Sequence, residues 1–129
     1  GRLPESRLRA GTPVLAAADD VYTNHIHADD LANIALAALL RARNSRIYNA
    51  SDDSEIKMAD YFDLAADMLK LPRPPRVSRA HAQATLPKEL LSFMGESRRL
   101  RNDRLINELK VKLRYPTVRE GIADAIRRR

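Results

Sequence analysis

The feature that most constrains the fold is the segment 28–42, which is apolar on nearly every side of a helix. Between Leu31 and Arg41 only Asn33 is polar. A helix that is apolar all round is normally buried all round. A chain of 129 residues has few ways to cover both sides of one helix. The segment therefore predicts either a neighbouring domain that is missing from this chain or self-association of the chain.

A β-prone segment leads directly into this helix. Residues 21–27 are rich in β-branched and aromatic side chains and predict a strand. Asp29 and Asp30 follow where the helix begins. Either carboxylate can accept hydrogen bonds from the unpaired backbone N–H groups of a first helical turn. The sequence thus predicts that one of these two aspartates is the helix N-cap.

The other segments predict an α/β fold that is predominantly helical with a few short strands. Short strands are expected at 14–16 and 46–50, and the prolines of 72–77 predict an extended spacer. Apolar spacing and capping residues predict helices over 4–10, 55–71, 78–86, 87–93, 101–109 and 117–126. In the helix over 101–109, Leu105, Ile106 and Leu109 are expected to point inward.

The composition excludes several classes of protein. The chain has no cysteine, which excludes disulfides and thiolate metal sites. It has no apolar run long enough to cross a membrane and no signal peptide, so we expect a cytoplasmic location. It opens on Gly1 rather than methionine, and we therefore expect a processed chain or a fragment.

The net charge of +6 has two interpretations. Arginines cluster at 98–101 and 127–129, as they would on a surface that binds phosphate or nucleic acid. Alternatively, they solubilise helix faces and offset helix dipoles. We favour the second interpretation, because the basic residues are interleaved with acids and match no nucleic-acid-binding motif.

Three potential metal ligands alternate at strand spacing: His25, His27 and Asp29. They would share one face if the strand extended that far, and could then hold a metal ion. We favour the alternative, in which Asp29 caps the helix and no metal binds. A glycine-rich dinucleotide loop, a Walker loop and a nucleophile elbow are absent from the sequence. Residue chemistry alone therefore predicts a binding or structural piece without catalytic residues.

Several short motifs follow one another along the whole chain: GR at 1–2, HADDLA at 27–32, IYNA at 47–50 with Asp52-Asp53, SRRLRN at 97–102 and LRYPTVREGI at 113–122. In order and spacing they resemble the C-terminal part of the extended short-chain dehydrogenases/reductases, the NAD-dependent epimerase/dehydratase family. In that family the glycine-rich loop and the catalytic Y-x-x-x-K precede the point where this chain begins. No tyrosine here is followed four residues later by lysine.

The resemblance implies that residues 1–129 are the substrate-binding portion of an NAD(P)-dependent epimerase, dehydratase or related oxidoreductase. Most of the Rossmann domain would be missing, and the chain alone would be inactive. NAD or NADP would bind the full-length protein, and we expect no cofactor on this chain alone. The expected partners are a small sugar-like or carbonyl substrate, the missing Rossmann domain and a second copy of the chain, without a membrane or nucleic acid.

The resemblance also implies site residues. Four are expected to line the substrate cleft: Arg2, Tyr22, Asn24 and His25. Three are expected to be structural: Asp29, Asp30 and Asn49. Thr23 stands where nucleotide-sugar members often place a phosphate-holding arginine, so we expect a smaller or different substrate. Lys110 stands where the family usually places a left-handed glycine, which predicts a looser helix end or a longer helix.

A hypothesis from another class is a free-standing basic helical module that binds nucleic acid or a protein partner. The net charge and the uncovered apolar helix support it. This hypothesis predicts salt-dependent binding to nonspecific DNA. The family resemblance is the argument against it.

Overall fold

The computed structural model describes residues 3–129. Arg2, expected in the substrate cleft, lies outside the described residues. The described part of the chain is an α/β structure in which helices outweigh strands. Its elements are α1 Glu5–Arg9, β1 Val14–Leu15, β2 Tyr22–Thr23, α2 Ala28–Arg41, β3 Ile56–Lys57, α3 Met58–Leu69, β4 Arg76–Val77, α4 Arg79–Thr85, α5 Lys88–Met94, α6 Asp103–Asn107 and α7 Val118–Arg127.

The strands form two small two-stranded sheets. β1 pairs in parallel with β4, so that Val14 lies opposite Arg76, and β2 pairs antiparallel with β3. The backbone N–H of Val14 donates to the carbonyl of Pro75 at 2.9 Å. The proline-rich segment therefore ends in a strand rather than serving as a spacer throughout. Proline can still accept in such a pairing, because it lacks only the N–H donor.

The main core lies around α3, which packs against α1, α7 and β1. Phe62, Ala65 and Ala66 are buried on its inner face. The helix begins at Met58 rather than at 55. Residues 56–57 pair with β2 instead, and a carboxylate oxygen of Asp20 accepts from the N–H of Ala59 at 3.1 Å. This hydrogen bond satisfies a first-turn donor that local sequence could not.

A second core joins α2 to the segment around α6. Ile34 and Ala37 of α2 pack with a group of buried apolar residues: Leu105, Leu109, Val111 and Leu113. The opposite side of α2 is uncovered by residues 3–129, with Leu36 61%, Leu39 83% and Leu40 80% exposed. Within the described chain, other residues therefore cover only one side of this apolar helix.

The α6 region differs from its prediction in two respects. The helix covers Asp103–Asn107 rather than 101–109, and Ile106 is 38% exposed, so its expected inward position is wrong. Leu105 and Leu109 are fully buried, as predicted. Lys110 itself adopts the left-handed conformation, with φ +56°. The helix therefore does not extend past this position. Its C-terminal end is closed by a hydrogen bond from the N–H of Val111 to the carbonyl of Leu105 at 3.3 Å.

The start of α2 is capped by a histidine rather than by an aspartate. His27 has extended backbone, and its Nδ1 accepts from the N–H of Asp29 at 3.2 Å. Asp30 is completely buried, and its two oxygens accept from the backbone N–H groups of Arg114 and Tyr115, each at 2.9 Å. The expected N-cap was wrong because Asp30 satisfies a distant segment instead of its own helix.

The segment 46–50 forms no strand with any described residue. The side-chain amide of Asn49 donates to the carbonyl of Arg101 at 3.0 Å, and a guanidinium nitrogen of Arg104 donates to the carbonyl of Ile47 at 3.0 Å. Asn49 thus contacts the backbone just before α6, and its structural role stays a prediction. Ile47 is 76% exposed beside this unpaired backbone.

The remaining helix boundaries follow their local signals. The Ser78 hydroxyl oxygen accepts from the N–H of His81 at the start of α4, and Gly95 ends α5. Thr117 and Glu120 form a capping box at the start of α7, in which the Glu120 carboxylate accepts from the N–H of Thr117 at 2.9 Å. Within residues 3–129, every helix is too short or too polar to cross a membrane.

Candidate functional site

A cavity of about 190 Å³ lies where the chain preceding α2 meets α3 and α7. One part of its wall is polar and aromatic, with His25, Asp52 and Tyr61. Another part is apolar and includes Val118 and Ile122 of α7. Small-molecule sites commonly combine an apolar wall with a few polar groups, which makes this cavity the candidate ligand site of the chain.

His25 is held at the cavity wall by two neighbours. Its ring stacks on Tyr61 with 4.3 Å between the ring centroids, and its Nε2 lies 2.9 Å from the Thr23 hydroxyl oxygen. That hydroxyl also lies 3.5 Å from the carbonyl of Ile56, and when it donates there it accepts from an Nε2–H of His25. Burial lowers the pKa of His25, which favours the neutral ring. Nδ1 is then an acceptor, and it has no hydrogen-bond partner among residues 3–129.

Asp52 supplies a buried carboxyl to the same cavity. The residue is 7% exposed, and its backbone N–H donates to the carbonyl of His25 at 2.7 Å. One carboxylate oxygen accepts from the N–H of Ser54 at 2.9 Å. Burial raises the pKa of Asp52 to about 6, against the hydrogen bonds from Ser54. Within the described chain, no lysine or arginine lies within ion-pair distance of this carboxyl.

Sequence reasoning missed Asp52 and Tyr61 as site residues. In the sequence, Asp52 appears only within the motif at 47–53, and Tyr61 lies in the predicted helix over 55–71 without a signal of a binding site. Half-burial of the Tyr61 ring raises the pKa of its hydroxyl, so this group is a neutral donor or acceptor. One sequence signal could have indicated Asp52 as a site residue. It is an acidic residue that closely follows the strand expected at 46–50.

The acidic cluster beside the cavity is an ion-pair network rather than a metal site. Ligand atoms of His27, Asp29 and Asp124 lie within 4.8 Å of one another. Arg128 occupies this cluster, with its Nε 2.6 Å from Asp124 and a terminal nitrogen 2.6 Å from Asp29. His27 already uses Nδ1 as the helix cap and has Nε2 3.3 Å from Asp124. A metal ion would have to displace the guanidinium, and His25 lies outside the cluster.

Tyr22 lies outside the cavity wall, although it was expected to line the substrate cleft. Its backbone N–H donates to the Ser97 hydroxyl at 3.1 Å. Its ring faces two cations, with the Arg99 guanidinium 5.0 Å and the Lys57 ammonium 5.7 Å from the ring centroid. An aromatic ring attracts a cation over its face by about 0.5–1 kcal/mol at exposed positions.

Asn24 is also separate from the cavity and holds an irregular segment. Its side-chain N–H donates to the carbonyl of Arg98 at 2.8 Å, and its side-chain oxygen accepts from the N–H of Leu100 at 2.9 Å. Both polar atoms of the amide are therefore engaged with backbone. Of the sequence-predicted substrate residues that the structure describes, His25 alone lines the cavity.

The arginine-rich segment 98–101 is paired with acids. Arg98 contacts Glu96 at 2.6 Å, and Arg101 contacts Asp103 at 2.7 Å. Arg99 forms an ion pair with Glu55. Exposed pairs of this kind contribute little to stability, but they balance the local charge.

Comparison with known proteins gives structural neighbours without a stated activity. No family model matches the chain, and no curated protein matches it. A functionally unknown conserved protein from Silicibacter pomeroyi DSS aligns with a TM-score of 0.79 and 29% identity, over 95% of this chain and 44% of that one. The structure described as gox2253 aligns with a TM-score of 0.68 and 18% identity, over 95% of this chain and 42% of that one. The chain therefore spans less than half the length of either solved chain.

Proposed function

We propose that residues 1–129 are the C-terminal, substrate-side portion of an NAD(P)-dependent extended short-chain dehydrogenase/reductase. Hydride transfer and proton abstraction on a sugar-like or carbonyl substrate would belong to upstream residues. The observation that carries the proposal is the uncovered apolar side of α2. The order of the family motifs, from HADDLA at 27–32 to LRYPTVREGI at 113–122, supports it.

The uncovered side of α2 has the character of a domain interface. Burying a leucine side chain stabilises a protein by about 1.5–3 kcal/mol, and Leu36, Leu39 and Leu40 are all mostly exposed. The exposed Ile47 adds an apolar side chain on the unpaired segment 46–50. In a parallel sheet with helices on its faces, the segment 46–50 would pair as a strand and α2 would pack on one face of the sheet. The two solved neighbours have more than half of their chains left for such a domain.

The cofactor would bind upstream of this chain under this proposal. The chain has four glycines, and none of them forms the G-x-G-x-x-G pattern that brings a backbone close to a pyrophosphate. The cavity of about 190 Å³ is also small for a dinucleotide, since ligand sites usually measure about 300–1,000 Å³. NAD or NADP is thus assigned to the full-length protein.

Calorimetric titration with NADH and NADPH tests the proposal. Residues 1–129 alone should bind neither, whereas the chain expressed together with its upstream coding sequence should bind one of them. That upstream sequence should encode a glycine-rich loop and a Y-x-x-x-K motif. Saturable dinucleotide binding by residues 1–129, or an upstream sequence without those motifs, would overturn the proposal.

The basic-module hypothesis is not favoured by the described contacts. The arginines of 98–101 that would attract phosphates already pair with Glu96, Glu55 and Asp103. A second copy of the chain is the competing way to cover α2. Sedimentation of the intact protein distinguishes coverage of α2 by a second copy from coverage by another domain of the same molecule. A second copy can associate through α2 only if no such domain covers this helix.

A further inference from the structure

We propose that the cavity between His25, Asp52 and Tyr61 binds the primary ammonium group of a small ligand with an apolar ring or chain. This names the chemistry of the ligand at the candidate site. It rests on the proposed function only for describing that ligand as a substrate, since the binding itself can be measured independently.

The carboxyl of Asp52 provides the charge that such a ligand would complement. It is buried, it receives protein hydrogen bonds only from Ser54, and it has no cationic partner within residues 3–129. Asp53 and Asp30 lie close enough to add their negative potential at this position. A buried charge without a partner is costly, so a ligand that brings a cation gains more here than at an exposed carboxylate.

The neighbouring polar groups match the donors of an ammonium group. An R–NH₃⁺ group has three N–H donors and no acceptor. Besides Asp52, the cavity wall includes His25, whose Nδ1 is an acceptor in the Nε2–H tautomer, and Tyr61, whose hydroxyl oxygen has no hydrogen-bond partner among the described residues. The stacked rings of His25 and Tyr61 also offer a polarisable surface to a cation.

The rest of the wall sets the size and polarity of the ligand body. Val118, Ile122 and Ala125 of α7 face the same cavity, and no lysine or arginine is among the described residues that line it. A cavity of about 150 Å³ can hold a benzene-sized molecule, so about 190 Å³ accommodates a six-membered ring with one substituent. An anionic or phosphate-bearing group would meet the Asp52 carboxylate without a compensating cation.

The test compares cyclohexylamine with cyclohexanol, which have similar shapes and differ in charge. In titrations of the intact protein near neutral pH, the amine should bind at least about tenfold more tightly than the alcohol, as expected for one charge-assisted hydrogen-bond group. Asp52→Asn should abolish this preference. Asp53→Asn changes the adjacent, exposed carboxylate, whose contribution at Asp52 is a smaller one, and should reduce the preference much less than Asp52→Asn does. Equal affinity for the two probes, or absence of saturable amine binding, would overturn the inference.

A second measurement covers the case in which Asp52→Asn fails to fold. Tyr61→Phe removes only the hydroxyl and should weaken the amine several-fold while retaining the stacked ring. The same proteins are titrated with NADH and NADPH. Dinucleotide binding without amine preference would refute the cavity assignment alone. Amine preference in the chain expressed together with its upstream coding sequence, without dinucleotide binding by that same protein, would refute the proposed function alone.

Discussion

The buried carboxylate of Asp30 gives the most decisive prediction about stability. It is completely buried and accepts from the backbone N–H groups of Arg114 and Tyr115, each at 2.9 Å. Asp30→Ala would leave both buried donors without a partner. Each unsatisfied donor costs about 1–3 kcal/mol, so we expect a loss of about 3–5 kcal/mol in the free energy of unfolding. Asp30→Asn keeps one acceptor atom and should lose about 2 kcal/mol.

Urea denaturation followed by circular dichroism measures this loss, and Asp29→Ala is the matched control. Asp29 is the preceding residue of the same helix, and its ion pair with Arg128 is partly exposed, so its removal should cost less than about 1 kcal/mol. The denaturant slope should stay unchanged if only stability is altered. A cost for Asp30→Ala no larger than that for Asp29→Ala would refute the inference that Asp30 ties α2 to the segment 113–115.

Three further predictions concern a helix end, a titrating group and the apolar face. Lys70 ends α3 with φ +56°, so Lys70→Gly should raise the melting temperature by the equivalent of about 0.5–1 kcal/mol, whereas Lys70→Ala should not. The pKa of Asp52 rises from 3.8 to about 6 on folding, so the native state holds this proton more tightly and loses stability as the pH rises through that window. Asp52→Asn should therefore stabilise the protein by about 2 kcal/mol at about pH 8, once the full shift is discounted for solvent screening, and much less at about pH 4, as urea titrations at both pH values would show. Leu39→Glu should lower the melting temperature of the intact protein or change its oligomeric state, whereas Phe93→Glu, at a side chain that is 72% exposed on α5, should do neither; equal effects would contradict a covered α2.

Elements specified by local residues were predictable from the sequence. The apolar segment 28–42, the Ser78 cap and the Thr117–Glu120 capping box each lie within a few residues of the structure they determine. The elements that were missed depend on contacts distant in sequence. Residues 56–57 continue the helical pattern locally, yet they pair with β2, more than 30 positions earlier.

The candidate site was less predictable for the same reason. Histidine spacing predicted a shared face for His25 and His27, and both line the cavity. His25, however, contacts Thr23 and Tyr61, whereas Nδ1 of His27 caps α2. Burial raises the pKa of Asp52, and its backbone N–H donates to the carbonyl of His25. Neither contact is visible in the local sequence around Asp52. The substrate role of Tyr22 and Asn24 stays a prediction, since both lie beside the irregular segment 97–100.

The ion pair between Arg128 and Asp29 has a consequence for the order of events during synthesis. Its partners are 99 positions apart, and the same guanidinium also contacts Asp124 beside the histidine that caps α2. A growing chain folds from its N-terminal side as it emerges from the ribosome. The start of α2 therefore lacks these contacts with Arg128 and Asp124 until α7 has been made. A chaperone that shields the exposed leucines of α2 during this interval would reduce aggregation without any effect on the finished fold.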